Sequence, residues 1–429
     1  MSSTVTVALP FGQGSVSARV PSENLLGIVS PRPLGPGAAD EGELIRHALA
    51  NPIGAPRLRD LARRGQKVVI VTSDLTRPCP SERLLPPVLA ELAAAGVADA
   101  DITIVIGLGL HRPMTEAELA AAVGDAVFRR FRVVNHDVND TVRVGRTSFG
   151  TPVEIFREVV SADFRVCVGN LEFHYFAGYS GGAKAIVPGC ASEATVTANH
   201  AMMVRPEAQA GRLEGNPVRA DLEEGAAMVG VDFLFNAVVD GEHRIVQAVA
   251  GDAHAAHRVG CEWVSQRGKV PIPSLADIVL VSAGGYPKDV NLYQAQKALD
   301  NAAYAVRPGG IIILVAECPE GCGNRTFEQW MTGGDTPPAL LKRIQERFVL
   351  GGHKAAAVAV VAQKAQVFLV SPSLSALRLA GMENYDSLEA ALDEAWRRLG
   401  QGAKVLVLPE GGSVLPQPPE DGRGAAGHL

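Results

Sequence analysis

The sequence predicts an α/β protein with two domains, each built on a mainly parallel sheet. Short apolar runs rich in β-branched residues recur along the chain, and each ends in glycine or polar residues. Alanine-rich stretches of helical spacing separate these runs, an alternation typical of parallel sheets. The length of 429 residues exceeds one ordinary domain and fits two. We therefore expect two α/β domains with a ligand-binding cleft between them.

The predicted elements follow from this alternation. Strands are expected at 67–74, 101–109, 164–172, 277–285, 309–318, 365–372 and 404–412. Between the first two strands, a helix is expected to begin near Ser81 and to end before Gly96. Pro86 and Pro87 leave the first turn of this helix open, because proline lacks the backbone donor that a helix interior needs.

A domain boundary is expected near residue 272. Residues 267–277 carry two prolines and several polar residues between two runs of strand and helix. The predicted N-terminal domain covers 1–272 and the predicted C-terminal domain covers 273–403. The strand near 404–412 could pack against the first domain. The Pro/Gly-rich end, 413–429, predicts a flexible tail.

Composition and charge point to a small-molecule partner. A net charge of -6 disfavours nucleic acid, which usually requires a basic surface. The first residues lack the basic and apolar regions of a secretory signal, and no window approaches a membrane span, so we expect a cytoplasmic protein with no membrane partner. In that reducing compartment, the six cysteines are not expected to form disulfides.

Two short patterns resemble metal sites without completing one. Cys318 and Cys322 are four residues apart, but no second pair accompanies them. His254 and His257 could share one helical face in "HAAH". We favour loop thiols for the first pair and leave the histidines unassigned.

Polar side chains collect where the predicted strands end. In open parallel sheets, ligands bind outside the carboxyl ends of the strands. These positions carry Asp74, Thr76, Arg77, His111, Arg112, Glu172, His174, Lys184, Lys288, Asp289, Gln294, Lys297 and Glu317. One cleft could be lined by all of them.

Several of these side chains suit a small anionic substrate. Arg77 presents a planar fork for bidentate binding of a carboxylate, while Lys297 adds charge and Gln294 a neutral hydrogen bond. Histidine side chains ordinarily titrate near neutrality, so His111 and His174 could act as base and acid on opposite faces of one carbon. Racemisation requires proton traffic on both faces of a carbon, so this pair suits it.

Lys184 closely follows two consecutive glycines, Gly181 and Gly182, which leave room for a bulky group. Covalent attachment to the amine, as a Schiff base or an amide-type bond, fits this setting. Simpler interpretations stay open: Lys184 could be a solvated lysine, and Arg77 and Asp74 could pair with each other.

Six motifs in this order resemble a known family. They are "SDLTRPCP", "GLGLHRPMTEAEL", "EFHYFAGYSGGAKAIVPG", "NH" at 199–200, "YPKDVNLYQAQKALDNA" and "AECPEGCG". Together they resemble the lactate racemase family, which uses a nickel-pincer nucleotide. The matches run from about residue 70 to about residue 325, and the flanks are consistent in length.

The resemblance implies a role for each matching position. Lys184 would carry the thioamide link to the pyridinium mononucleotide, and His200 would be the protein's nickel ligand. The acid/base pair would be His111 and His174. The substrate would be bound by Arg77, Gln294, Lys297 and Tyr293, and Asp74 and Thr76 would help to hold the cofactor or Arg77. The N-terminal domain would then hold the cofactor and the catalytic residues, and the cleft would be the active site.

The same resemblance implies the reaction and its partners. One histidine would take the hydroxyl proton of a 2-hydroxy acid while the α-hydrogen leaves as hydride to the cofactor. The keto acid would then reorient and receive the hydride on its other face. Proteins that make the cofactor would be needed for maturation.

The substrate and the class of protein leave alternatives. Glu172, Phe173 and Ala183 could reshape the pocket, and Arg112 or Lys288 could serve a second carboxylate, as in malate, while an aldonic acid also stays open. A non-catalytic hydroxyacid-binding protein is one alternative function. A nicotinamide-dependent dehydrogenase is another, although "GLGLHR" lacks the third glycine and the acidic partner of a dinucleotide site.

Overall fold

The computed structural model describes residues 3–33 and 40–419. Its contacts divide the chain into two compact units. We call Leu34–Ser265 the central unit, and Met1–Pro33 with Gln266–Leu429 the terminal unit.

The chain forms strands and helices in alternation. The strands are β1 (Thr4–Phe11), β2 (Gly14–Pro21), β3 (Leu25–Ile28), β4 (Val68–Ser73), β5 (Ile102–Gly107), β6 (Arg132–Asn135), β7 (Thr141–Arg146), β8 (Pro152–Phe156), β9 (Phe164–Asn170), β10 (Phe173–His174), β11 (Gly178–Tyr179), β12 (Phe233–Val239), β13 (Ile245–Gly251), β14 (Lys269–Pro271), β15 (Ala276–Ser282), β16 (Val306–Val315), β17 (Gln366–Val370), β18 (Met382–Tyr385), β19 (Val405–Leu408) and β20 (Leu415–Gln417).

The helices are α1 (Glu41–Ala50), α2 (Leu58–Leu61), α3 (Ser81–Ala94), α4 (Glu116–Val123), α5 (Asp125–Arg130), α6 (Arg157–Val160), α7 (Glu193–His200), α8 (Pro217–Ala227), α9 (Ala255–Gly268), α10 (Leu292–Ala302), α11 (Arg325–Thr332), α12 (Pro337–Glu346), α13 (Gly352–Lys364) and α14 (Leu388–Leu399).

The central unit is built on a six-stranded sheet in the order β13-β12-β9-β4-β5-β6. All neighbours are parallel except β12 and β13. The strands predicted at 67–74, 101–109 and 164–172 are confirmed as β4, β5 and β9. Their alternate side chains enter two cores: Ile70 packs with α1 and α3 on one face, and Val71 packs with α7 and α8 on the other.

The predicted helix after β4 is confirmed as α3, which begins at Ser81 and includes both Pro86 and Pro87. Gly96 follows its end with a φ of +83°. The helix tolerates the prolines because its apolar face, including Leu84 and Leu85, is completely buried. Full burial of one such side chain contributes about 1.5–3 kcal/mol.

The terminal unit is built on a second six-stranded sheet in the order β18-β17-β16-β15-β19-β3, and every neighbouring pair is parallel. One face packs against α14 and the β1–β2 hairpin. The four strands predicted in the second half of the chain are confirmed as β15, β16, β17 and β19. The α/β class with two mainly parallel sheets is therefore confirmed.

The units are not divided as the predicted domains are. Residues 1–33 belong to the terminal unit because β3 extends its sheet beside β19. The strand predicted near 404–412 is β19, which pairs with β15 on one side and on the other with β3, a strand that lies within the predicted N-terminal range 1–272. The later division falls between Ser265 and Gln266, close to the expected residue 272.

Part of the predicted tail at 413–429 is a strand. β20 pairs in parallel with β14, so that Leu415 lies opposite Lys269. Residues 420–429 lie outside the described residues. Within the described ranges, no helix is both long enough and apolar enough to cross a membrane.

Candidate active site

Three neighbouring strands of the central unit deliver most of the predicted site residues. β9, β4 and β5 are adjacent and parallel, so their carboxyl ends meet at one edge of the sheet. The loop after β4 carries Asp74 and Arg77, the loop after β5 carries His111, and the segment after β9 carries His174 and Lys184.

Asp74 and His111 are brought together from different loops. His111 Nδ1 lies 2.6 Å from Asp74 Oδ2. Thr76 donates to the other carboxylate oxygen from both its hydroxyl, at 2.6 Å, and its backbone nitrogen, at 3.0 Å. The aspartate accepts a hydrogen bond from Nδ1–H of His111, which leaves the lone pair of the neutral ring on Nε2.

The charge on Asp74 is stabilised although the side chain is buried. Burial alone would raise the pKa of Asp74, but the hydrogen bond and charge of His111, the Thr76 hydroxyl and the charge of Arg77 together lower it. Asp74 is therefore an anion that orients His111 through this hydrogen bond.

Arg77 is half-buried and does not pair with Asp74 as the simpler interpretation proposed. Among the described residues, none accepts a hydrogen bond from its guanidinium or lies within ion-pair distance of it. A guanidinium with its donors uncommitted is suited to binding a carboxylate bidentately.

His174 lies on a tight hairpin formed by β10 and β11, where it pairs with Gly178. The backbone nitrogen of Ala177 donates to His174 Nδ1 at 3.2 Å. The proton of the neutral ring is therefore on Nε2, opposite to the assignment for His111. The two histidines are held in complementary tautomers.

Lys184 lies in a short 3-10 turn, Gly182–Ala185, directly after Gly181. Gly181 and Gly182 have φ values of +67° and +60°, which L side chains rarely adopt. Added Cβ atoms would lie 2.5 Å from Asn236 Oδ1 and 2.6 Å from His257 Cδ2, respectively. Both glycines are therefore required by the shape of this turn.

The amine of Lys184 is set in a protein environment that disfavours its charge. Desolvation lowers the pKa of Lys184 well below its usual value, and the positive charges of Arg219 and Arg77 lower it further. The residue as a whole is partly buried. Among the described residues, none accepts a hydrogen bond from Nζ. These conditions favour a nucleophilic, neutral amine.

His200 ends α7 and is almost completely buried. Its Nδ1 donates to Asn199 Oδ1 at 3.1 Å. Asn199 in turn donates to Asp221 Oδ2 at 2.7 Å and to the Val218 carbonyl at 3.1 Å. This chain fixes the tautomer with the lone pair on Nε2, the arrangement that second partners give to metal-binding histidines.

Phe176 connects three of the predicted site residues. Its ring centroid lies 4.6 Å from that of His174 and 4.9 Å from that of His200, both edge to face. Lys184 Nζ lies 5.8 Å from the same centroid. The proposed proton carrier, metal ligand and tether therefore surround one buried aromatic ring.

The remaining predicted residues lie in the terminal unit. Tyr293, Gln294 and Lys297 occupy one partly exposed stripe of α10. The Tyr293 ring packs edge to face on Phe327, with the centroids 5.7 Å apart, and Lys354 Nζ lies 5.3 Å from its centroid. The placement of an active-site cleft between the domains stays a prediction.

The residues considered for substrate selection have defined contacts. Phe173 packs against Tyr179 with the ring centroids 5.4 Å apart, and Ala183 is partly buried in a core. Glu172 shapes the turn through its backbone, which accepts from the Ser180 nitrogen at 2.9 Å.

The two residues considered for a second carboxylate have partners of their own. Arg112 is exposed and binds Glu118. Lys288 donates to Ser413 Oγ at 3.1 Å.

The two patterns that resembled metal sites have the following surroundings. Cys318 and Cys322 are buried free thiols. His254 is exposed, whereas His257 Nε2 lies 2.9 Å from the Ser180 carbonyl beside the lysine turn. No group of three or more His, Cys, Asp or Glu in residues 3–33 and 40–419 is arranged to hold a metal ion.

Sequence reasoning missed four residues that shape this region: Phe176, Asn199, Arg219 and His257. Phe176 and Asn199 lie inside motifs that were noted for their neighbours. Arg219 gave no signal in the sequence. Its Nε donates one hydrogen bond to the Ala177 carbonyl, at 3.1 Å, and this contact arises only because the fold brings α8 close to that segment.

Comparison with known proteins agrees with this architecture. The family profile of the lactate racemase N-terminal domain matches residues 11–211, and that of the lactate racemase C-terminal domain matches residues 273–415. A lactate racemase from Thermoanaerobacterium thermosaccharolyticum is 34% identical over 422 residues, covering 95% of this chain and 98% of that protein. The lactate racemase of Lactiplantibacillus plantarum is 33% identical over 423 residues, covering 96% and 99%.

Solved structures give the same result. The lactate racemase apoprotein from T. thermosaccharolyticum superposes with a TM-score of 0.89 at 33% identity, covering 96% of this chain and all of that one. A Thermotoga maritima protein shares the fold with a TM-score of 0.66 at 18% identity, covering 90% and 100%. The two family profiles, the near full-length identity and the shared fold establish that this chain belongs to the lactate racemase family of isomerases.

Proposed function

We propose that the protein interconverts the enantiomers of a small 2-hydroxy acid of the lactate type, with a nickel-pincer nucleotide attached to Lys184. The observation that carries the proposal is the pair of histidines in complementary tautomers, His111 and His174, in one unit with a lysine whose charge is disfavoured. Family membership supports the same reaction.

The residues present fit this cofactor. Lys184 offers an amine with a lowered pKa for acylation, and the glycine turn leaves space beside it. His200 offers one oriented imidazole nitrogen, a donor that suits nickel. When bound, the nucleotide would supply nickel, the remaining donors to it and the acceptor for the substrate's α-hydrogen as hydride.

The protein would bind and orient the substrate. The Arg77 fork would take the carboxylate, and Gln294, Lys297 and Tyr293 would contact the carboxylate and hydroxyl from α10. The lactate type is supported by the commitment of Arg112 to Glu118, which leaves this arginine unsuited to a second carboxylate.

The two histidines would have different starting roles. His111 Nε2 carries the free lone pair and would accept the hydroxyl proton, and Asp74 would stabilise the resulting imidazolium. His174 presents Nε2–H and would donate a hydrogen bond to the substrate oxygen. To act as base for the opposite enantiomer, His174 must carry its proton on Nδ1 instead, which requires loss of the hydrogen bond from Ala177.

The test is chiral analysis of the loaded enzyme. The chain would be co-expressed with the proteins that make the cofactor and incubated with single enantiomers of lactate, malate, 2-hydroxyglutarate, phenyllactate and gluconate. We expect interconversion of lactate and a covalent mass adduct that is lost in Lys184→Ala and kept in Lys342→Ala, whose lysine is exposed. Absence of the adduct in wild type would overturn the tether, and an adduct-bearing protein that leaves every acid unchanged would overturn the reaction.

A further inference from the structure

His257 touches the turn that carries Lys184, although it lies 73 positions later in the chain and in no motif of the resemblance. Its side chain is 1% exposed. Its Nε2 lies 2.9 Å from the carbonyl oxygen of Ser180, and its ring fills the space that a Cβ on Gly182 would need.

The tautomer of His257 is set by a second contact. Arg258 Nη1 lies 3.2 Å from His257 Nδ1, so the arginine donates there and the imidazole proton is on Nε2, directed at Ser180. Arg258 is held by two hydrogen bonds to Glu223, each of 2.8 Å. A continuous chain of hydrogen bonds therefore runs from Glu223 on α8 to the backbone of the lysine turn.

The opposite side of the turn is held as well. Gly182 donates from its backbone nitrogen to Asn236 Oδ1 at 2.9 Å. The turn is thus fixed by Asn236 on one side and His257 on the other, and its two glycines allow both to approach closely. A turn of this kind determines where the Lys184 amine is presented.

We propose that His257 is a positioning residue, which holds the turn from Ser180 to Lys184 in the shape that presents the amine for attachment of the cofactor. The inference rests on the proposed role of Lys184 as tether. His257 does not touch the reacting atoms. Its effect is on the geometry of the nucleophile, where a displacement of about 1 Å can slow a reaction by a factor on the order of a hundred.

The test compares two substitutions at His257. His257→Leu removes the donor to Ser180, and His257→Gln restores an N–H donor at about the same reach. The rate of adduct formation at Lys184 would be followed by intact-protein mass with the cofactor-making proteins present. Hydrogen exchange of peptides covering 178–190 would be measured in the apoprotein, as a readout that needs no cofactor.

We expect His257→Leu to slow attachment by a factor on the order of ten or more and to raise exchange in the lysine turn. His257→Gln should recover most of both. Two controls separate this from general destabilisation: His254→Leu changes an exposed histidine in the turn just before the same helix, and Leu92→Ala opens a cavity on the other face of the sheet. Both should load at the wild-type rate.

The outcomes are distinct. If wild type acquires an adduct and His257→Leu acquires it equally fast with unchanged exchange, the inference is wrong while the proposed tether stands. If His257→Leu does not fold, Arg258→Met tests the same chain from its outer end, and unchanged loading and exchange in that variant would also overturn the inference. A wild type without adduct would instead overturn the tether.

Discussion

His111 Nδ1 lies 2.6 Å from Oδ2 of the buried Asp74, although 36 residues separate them in the sequence. The contact exists because β4 and β5 are adjacent parallel strands whose following loops meet at one sheet edge. An anionic carboxylate at Nδ1 leaves the lone pair of His111 on Nε2, as a base requires.

Asp74→Asn should therefore impair catalysis without preventing cofactor attachment. An asparagine can offer its amide nitrogen to Nδ1 and stabilise the wrong tautomer, and it no longer stabilises the imidazolium. We expect kcat/KM to fall by about 100-fold or more. Because the two enantiomers have equal free energies, the fall must be the same in both directions, which chiral chromatography of each reaction would verify.

The matched control for this variant is Asp99→Asn, which neutralises an exposed aspartate paired with Arg130. It should retain the wild-type kcat/KM. Equal activities for Asp74→Asn and Asp99→Asn would mean that the carboxylate has no part in orienting His111.

Lys184→Met should stabilise the apoprotein at neutral pH. Folding lowers the pKa of Lys184 through desolvation and through the charges of Arg219 and Arg77. The unfolded chain therefore binds the proton of this amine more tightly than the folded chain does. Between the lowered pKa and about 10.4, the value of an ordinary lysine, wild-type stability rises with pH. The gain in Tm from methionine should be a few degrees at pH 7 and should shrink as the pH approaches 10.

Thermal unfolding of both apoproteins across this pH range would measure the difference. Lys342→Met is the control, since its lysine is exposed and its substitution should leave the Tm nearly unchanged at every pH. A Lys184→Met protein that is less stable than wild type at pH 7 would show that the lysine is accommodated as a cation.

The fold could be predicted where apolar runs were long and bounded. β4, β5 and β9 appeared in the sequence as buried strands, and the polar residues after them appeared as a site. β3 could not be found in this way, because its four residues include Gly27 and only its pairing with β19 defines it. The assignment of residues 1–33 to the terminal unit depends on that pairing, so the predicted domain limits differ there.

The sequence predicted which types of residue form the site, but not which side chains and backbone groups are hydrogen-bonded to each other there. His111 and His174 were expected as base and acid on opposite faces of one carbon, but the sequence did not show the partners that set their tautomers, Asp74 and the Ala177 backbone. Such partners are set by loop geometry in three dimensions. His257 shows the same limit, since the sequence left it unassigned and only the fold places it against Ser180.

Asn199→Ala should weaken nickel retention. The Asn199 side chain accepts from His200 Nδ1 and is itself anchored to Asp221, so its loss frees the ring to rotate and to change tautomer. Loss of such a partner typically costs about 10–100-fold in metal affinity. The measurement is nickel per covalent adduct after dialysis against a chelator.

Asn139→Ala provides the control for nickel retention, since that asparagine is exposed in a loop of the same unit. It should keep the wild-type nickel content. Equal retention by Asn199→Ala and wild type would argue that Asn199 does not support the metal ligand.

Arg77→Lys should raise the KM for lactate far more than it lowers kcat. The guanidinium of Arg77 has no acceptor among the described residues and can give two parallel hydrogen bonds to a carboxylate, whereas an ammonium acts as a point charge. The loss of one charged hydrogen bond, about 1.5–3 kcal/mol, corresponds to a KM increase of roughly tenfold or more. Arg112→Lys is the control, because Arg112 is committed to Glu118 and its substitution should leave the KM unchanged. If both variants kept the wild-type KM, Arg77 would not bind the carboxylate; if only Arg112→Lys raised it, the roles of the two arginines would have to be exchanged.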